Sequence, residues 1–143
     1  MGNHKRNGYE ISTDKRKLDF KVIHNFLTNS YWSPGISLFQ VKKAAQNSIC
    51  FGVYHNKKQI GYARVITDSV RFAYLADVFI IEEYRRRGLS KWLMDVIMNH
   101  KDFKDINSWM LATKDAHGLY EKFGFKKIDE PERFMRRKRN NLR

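Results

Sequence analysis

Residues 74–100 read YLADVFIIEEYRRRGLSKWLMDVIMNH and carry three patterns in succession. Val78, Phe79, Ile80 and Ile81 form an unbroken apolar run, as expected of a strand buried on both faces. Beyond a charged turn, Leu89, Trp92, Leu93, Val96 and Ile97 fall on a single helical stripe. The stretch therefore specifies a strand, a tight turn and a helix.

The turn, Arg85-Arg86-Arg87-Gly88-Leu89-Ser90, has the chemistry of an anion site. Gly88 permits a positive φ or the close approach of a ligand, and Ser90 can cap the helix. The first-turn amides of a helix lack intrahelical partners and sit at the positive end of its dipole. With three guanidinium groups beside them, they suit a phosphate or pyrophosphate. No Gly-Lys-Ser/Thr follows and the three glycines of a dinucleotide fingerprint are missing, so neither of those nucleotide-binding loops is present.

Working outward, 143 residues predict one domain with a real core. Polar residues 1–8 are expected to be flexible, and residues 9–13 to form a first strand. Asp19 is placed to cap a helix carrying Phe20, Ile23 and Leu27, which should end near Asn29 and Ser30. Tyr31 and Trp32 then fall in a loop beside Pro34 and Gly35, and Ser37 can cap a second helix over 38–47. These two aromatics either seal the core or contact substrate. Residues 49–54 and 59–67 read as a hairpin with a bulge near Gly61, and 70–81 as a third antiparallel strand. A strand over 107–113 should run parallel to it across the helix. Asp115 is placed to cap a short helix that Gly124 ends, with closing strands expected over 125–128 and 132–135.

Charge and cysteine content narrow the function classes. Cys50 is the only cysteine, which excludes an intramolecular disulfide and a multi-cysteine zinc site; in its apolar setting it reads as a core residue. The five histidines are scattered without ligand spacing, so no metal is expected. No apolar run reaches membrane-span length and the N-terminus has no signal-peptide pattern, which predicts a cytoplasmic protein without a membrane partner. The net charge of +13 favours acidic partners, phosphate-bearing ligands, nucleic acid and anionic membrane surfaces alike. The tail, RFMRRKRNNLR over 133–143, reads as a solvated basic extension.

Two motifs give the anion an identity. The turn resembles the Gln/Arg-x-x-Gly-x-Gly/Ala signature of the GNAT acyltransferase superfamily, with Arg85, Gly88 and Ser90 at the signature positions and Ser90 departing from Gly or Ala. Downstream, Ala116 and Leu119-Tyr120-Glu121-Lys122-Phe123-Gly124-Phe125 resemble the family's Ala-x-x-Leu-Tyr-x-Lys-x-Gly-Phe, while Thr113 stands where asparagine is common. The order of elements matches over residues 9–135. The resemblance implies a single-domain α/β (α+β) fold in which helices flank a mixed central sheet and a splayed strand pair binds coenzyme A. That domain, 9–135, would lie between a flexible N-terminus, 1–8, and a basic tail, 136–143.

The same resemblance implies an N-acetyltransferase with acetyl-CoA as acyl-donor cosubstrate, acting by direct attack in a ternary complex. Pantetheine would lie along the backbone of Val78, Phe79 and Ile80. Pyrophosphate would rest at Arg85 and on the amides of Arg86, Arg87, Gly88, Leu89, Ser90 and Lys91. Tyr120 would meet the coenzyme sulfur and hydrogen-bond or protonate the leaving thiolate, and a backbone N–H near Phe79 would polarise the carbonyl. Asp77, the one ionisable group in an apolar strand, is either a general base or an anchor paired with Arg64; Glu82, Glu83, His117 and a water relay are the other candidate bases. Tyr31, Trp32 and Tyr74 should line the acceptor entrance and favour a small-molecule amine with an apolar part. A monomer or homodimer is expected. A basic nucleic-acid-binding module, or a coenzyme A-binding regulator without catalysis, are the competing classes; no nucleic-acid motif is present, and Tyr120 speaks for catalysis.

Overall fold

The computed structural model describes residues 3–139. Its elements run β1 (Asn3–Arg6), β2 (Tyr9–Ser12), α1 (Phe20–Thr28), α2 (Leu38–Gln46), β3 (Ile49–His55), β4 (Lys58–Thr67), β5 (Phe72–Ile80), α3 (Leu89–Met98), β6 (Ser108–Met110) and α4 (His117–Glu121). The six strands form one sheet in sequence order. Every neighbouring pair is antiparallel except β5 and β6, which are parallel, as the intervening helix requires.

Alternation sends the strand side chains to two cores. On one face Phe51, Val53, Val65, Ala73 and Leu75 pack beneath the apolar stripe of α3. On the other, Cys50, Tyr62 and Phe79 meet Ile23 and Leu27 of α1 and Val41 and Ala45 of α2. Both of these helices start where the capping chemistry places them. The Asp19 carboxylate accepts from the amides of Lys21 and Val22, and Ser37 and Gln40 form a reciprocal capping box. Cys50 is buried and approaches Tyr62 Oη at 3.4 Å; burial pushes its thiol pKa up, as suits a packing residue. No helix among the described residues is long and apolar enough to cross a membrane.

Several expectations are corrected. The N-terminus is not loose over residues 3–6: these form β1, folded onto β2 through a turn in which Asn7 and Gly8 both take positive φ. Met1 and Gly2 lie outside the described residues. Neither closing strand forms over 125–128 or 132–135. Glu130 is left-handed and Pro131 opens a short 3-10 turn, and the flanking chain is almost wholly exposed. Asp115 does not cap α4, whose N-cap is Ala116 with its amide donating to Thr113 Oγ1. Ser90 does not cap α3 either, since Gly88 holds that position. In the basic tail residues 136–139 are exposed, and residues 140–143 lie outside the described part.

The β3–β4 ladder skips Ile60, putting the bulge beside Gly61. A Cβ on Gly61 would stand 2.6 Å from Ile80 Cδ1 and 3.0 Å from Phe79 O, a backbone atom that cannot step aside. Gly61→Ala is expected to lower stability by ~1–3 kcal/mol, read as a fall in the chemical-denaturation midpoint.

Candidate active site

The parallel pairing of β5 and β6 stops at Tyr74 and Met110, while β5 continues to Ile80. From Leu75 onward the outer edge of β5 therefore has no strand beside it. On its inner edge, Ala63 of β4 faces two β5 residues, Asp77 and Val78, and Asp77 takes φ 56. Phe79 turns its ring into the α1 core, stacked 4.0 Å from Phe26, and Val78 packs against the core beneath α3. Both can meet a ligand through their backbone alone. The Ile81 amide donates inward to Ile60 O, so strand alternation turns the Ile80 amide outward into the gap. The outward amide nearest the position expected at Phe79 is therefore that of Ile80.

The open edge leads directly into the arginine turn. Gly88 lies at φ 76 and a Cβ there would meet nothing within 4 Å, so the glycine serves backbone conformation and access. Arg86 is also left-handed. Among the described residues, no main-chain amide from Arg86 to Lys91 has a hydrogen-bond partner. All of these residues except Arg87 line a cavity of about 310 Å³ together with Ile80, Tyr84 and Arg85. The three guanidinium groups do not act together, contrary to the expectation from composition. Arg85 Nε donates to Ile80 O at 2.9 Å and ties off the end of β5. Arg87 donates to Tyr9 Oη and lies over the Tyr84 ring. Arg86 and Lys91 are exposed and make no hydrogen bond or ion pair among the described residues, leaving them as the cations beside the amides.

Asp77 is fully engaged. Arg64 Nε donates to its Oδ2 at 2.6 Å and Trp32 Nε1 to its Oδ1 at 2.9 Å, with the Asp77 side chain 8% exposed. Arg64 also reaches Ser48 Oγ. This favours the anchor over the general base. Trp32 packs edge-on to Tyr31, whose hydroxyl accepts from the Lys114 amide at 3.1 Å while Lys114 Nζ lies over the ring. The Tyr31–Trp32 pair thus straps the gap, fixed to β5 on one side and to the segment after β6 on the other. Glu82 and Glu83, in the 3-10 turn after β5, and His117, the first residue of α4, are exposed.

Tyr120 of α4 is buried, edge-on to Phe125, and its hydroxyl has no hydrogen-bond partner among the described residues. Burial, followed by Tyr31 and Asp115, pushes its pKa up to about 12. The group is therefore a neutral donor at physiological pH. Tyr74, the last residue of β5 paired with β6, lies half-buried at the other end of the gap.

An open strand edge running into an amide-lined turn suits an extended ligand with an anionic end. Comparison with known proteins gives the class a family. A sequence profile for the Acetyltransferase (GNAT) domain matches residues 46–127, more than half of the chain. A candidate acetyltransferase of Gibberella zeae is 28% identical over 138 residues, spanning 82% of this chain and 78% of that one. The crystal structure of a protein assigned to the GNAT family, from Xanthomonas campestris pv. campestris, matches at 41% identity with a TM-score of 0.91, covering 96% of this chain and 98% of that one. A Staphylococcus aureus protein shares the fold, with a TM-score of 0.73 at 20% identity over 92% of this chain and 99% of that one. The chain belongs to the GNAT acetyltransferases, a family whose acyl donor is acetyl-CoA.

Proposed function

We propose that the protein transfers the acetyl group of acetyl-CoA to the neutral amine of a small molecule by direct attack in a ternary complex. The observation that carries this reading is the continuity of the bare β5 edge with the unpartnered amides of Arg86 to Lys91. Those amides, with Arg86 and Lys91, fit a pyrophosphate; the edge from Leu75 to Ile80 fits an extended amide-bearing arm. Acetyl-CoA supplies a thioester carbonyl as electrophile. The Ile80 amide points to where that oxygen would develop charge, and Tyr120 offers its proton to the sulfur as the carbon–sulfur bond breaks. A pKa of about 12 lies some three units above an ordinary thiol at ~8.5. Tyr120 therefore works by hydrogen bonding the leaving thiolate rather than by completing the proton transfer. The amine proton leaves through water or an exposed carboxylate, since Asp77 is held by Arg64 and Trp32.

The test is isothermal titration with acetyl-CoA after removal of nucleic acid. Arg86→Ala is expected to weaken binding about 10- to 100-fold, the worth of a charge-assisted contact. Gly88→Val, which forces a branched side chain into the left-handed region, should weaken it about tenfold or more. Binding that disappears with added salt and ignores both substitutions would sink the reading and favour a general polyanion site, nucleic acid included.

A further inference from the structure

Register and burial reveal a second surface at the mouth of the gap. Ile66 of β4 pairs with Tyr74 of β5, and Tyr74 pairs with Met110 of β6, so the three side chains form one row across the sheet. Phe72, two residues back on β5, shares their face. Their neighbours of opposite parity, Val65, Ala73 and Leu75, are buried beneath α3. This row is not covered by the other pair of helices, which end their cover at Tyr62 and Phe79. Ile66 is 41% exposed and Phe72 42%, and Tyr74 and Met110 are half-buried.

We infer that this apolar row is the acceptor platform, and that the acceptor is a primary amine carried on an aromatic or bulky apolar body. The inference rests on the acetyltransferase reading above and goes further by naming the substrate class and the side chains that select it. Tyr74 and Met110 are the last residues paired before the strands part, so the platform ends where the gap begins. A body lying on Ile66, Phe72 and Tyr74 carries an amine on a short linker into the space between β5 and the Tyr31–Trp32 strap. Three strands at ~4.8 Å spacing, with two residues along β5, give a surface of about 10 by 7 Å. That holds one aromatic ring and is far below the ~800 Å² per partner of a stable protein interface. The +13 charge also opposes a second copy of the chain or a polycationic acceptor.

The experiment compares coenzyme A thiol release for phenethylamine, tyramine, ethylamine and putrescine, with acetyl-CoA binding measured in parallel. In the unmodified protein kcat/KM for the aromatic amines should exceed that for ethylamine about 10- to 100-fold. Ile66→Ser with Phe72→Ser, its fold verified by an unchanged acetyl-CoA affinity, should narrow that ratio about tenfold through KM. Intact acetyl-CoA binding with a flat amine ranking, with no aromatic amine acetylated, or with a ratio unmoved by the substitutions overturns the platform alone. A concentration-dependent dimer dissolved by Phe72→Ser overturns it in favour of a second copy. Absence of acetyl-CoA binding overturns the transferase reading and the platform with it.

Discussion

Tyr120→Phe should lower kcat about 100-fold while leaving acetyl-CoA affinity within about twofold of the parent. The substitution removes one hydroxyl and keeps the ring that packs against Phe125. Among the described residues that hydroxyl has no hydrogen bond to lose, so the change costs little stability. Its loss is felt as charge builds on the leaving sulfur, and a single preorganised donor at such a point is worth ~10²–10³-fold. Thiol release with the best amine of the panel measures the effect. Burial pushes the Tyr120 pKa up to about 12, so a loss of rate just above neutral pH would come from another group. A Tyr120→Phe protein with unaltered kcat would leave the tyrosine a packing residue only.

The second large effect is on stability. Arg64→Met removes the cation from Asp77, whose carboxylate, 8% exposed, keeps only the Trp32 indole. An uncompensated charge in such a place costs ~3 kcal/mol or more, and a denaturation curve should show it. Adding Asp77→Asn should restore most of the loss, because Asn tolerates the left-handed backbone and leaves no stranded charge. The single variant Asp77→Asn also separates the two roles open to this residue. An anchor loses the order of the strap with a rise in KM for the amine. A general base loses kcat steeply with the strap intact.

The strand, turn and helix at the centre were legible because each is written in local periodicity and Gly88 marks the one position where backbone conformation is forced. The left-handed turn between β1 and β2 carries an Asn7-Gly8 pair, a hairpin signal, yet β1 was missed because its four residues are all exposed and show no apolar alternation. The closing strands do not form because β6 is only three residues long and offers little edge, while Glu130 and Pro131 break the chain. Within the site, composition counted three arginines and could not show that Arg85 and Arg87 are spent on Ile80 and Tyr9, contacts set by the tertiary fold. The same limit hid the apolar row: Ile66, Phe72 and Met110 lie on three strands, and only the register brings them together.

The bare edge of β5 bears on colloidal behaviour as well as on ligand binding. A run of main-chain donors and acceptors from Leu75 to Ile80 without a neighbouring strand is a template that any extended chain could extend, copies of this protein among them. An enzyme of this design has to keep that edge open for its cosubstrate and closed to its own kind. A net charge of +13 on 143 residues sets up a field that works against contact between copies and favours the approach of an anionic ligand. The excess of lysine and arginine thus biases what approaches the sheet toward polyanions.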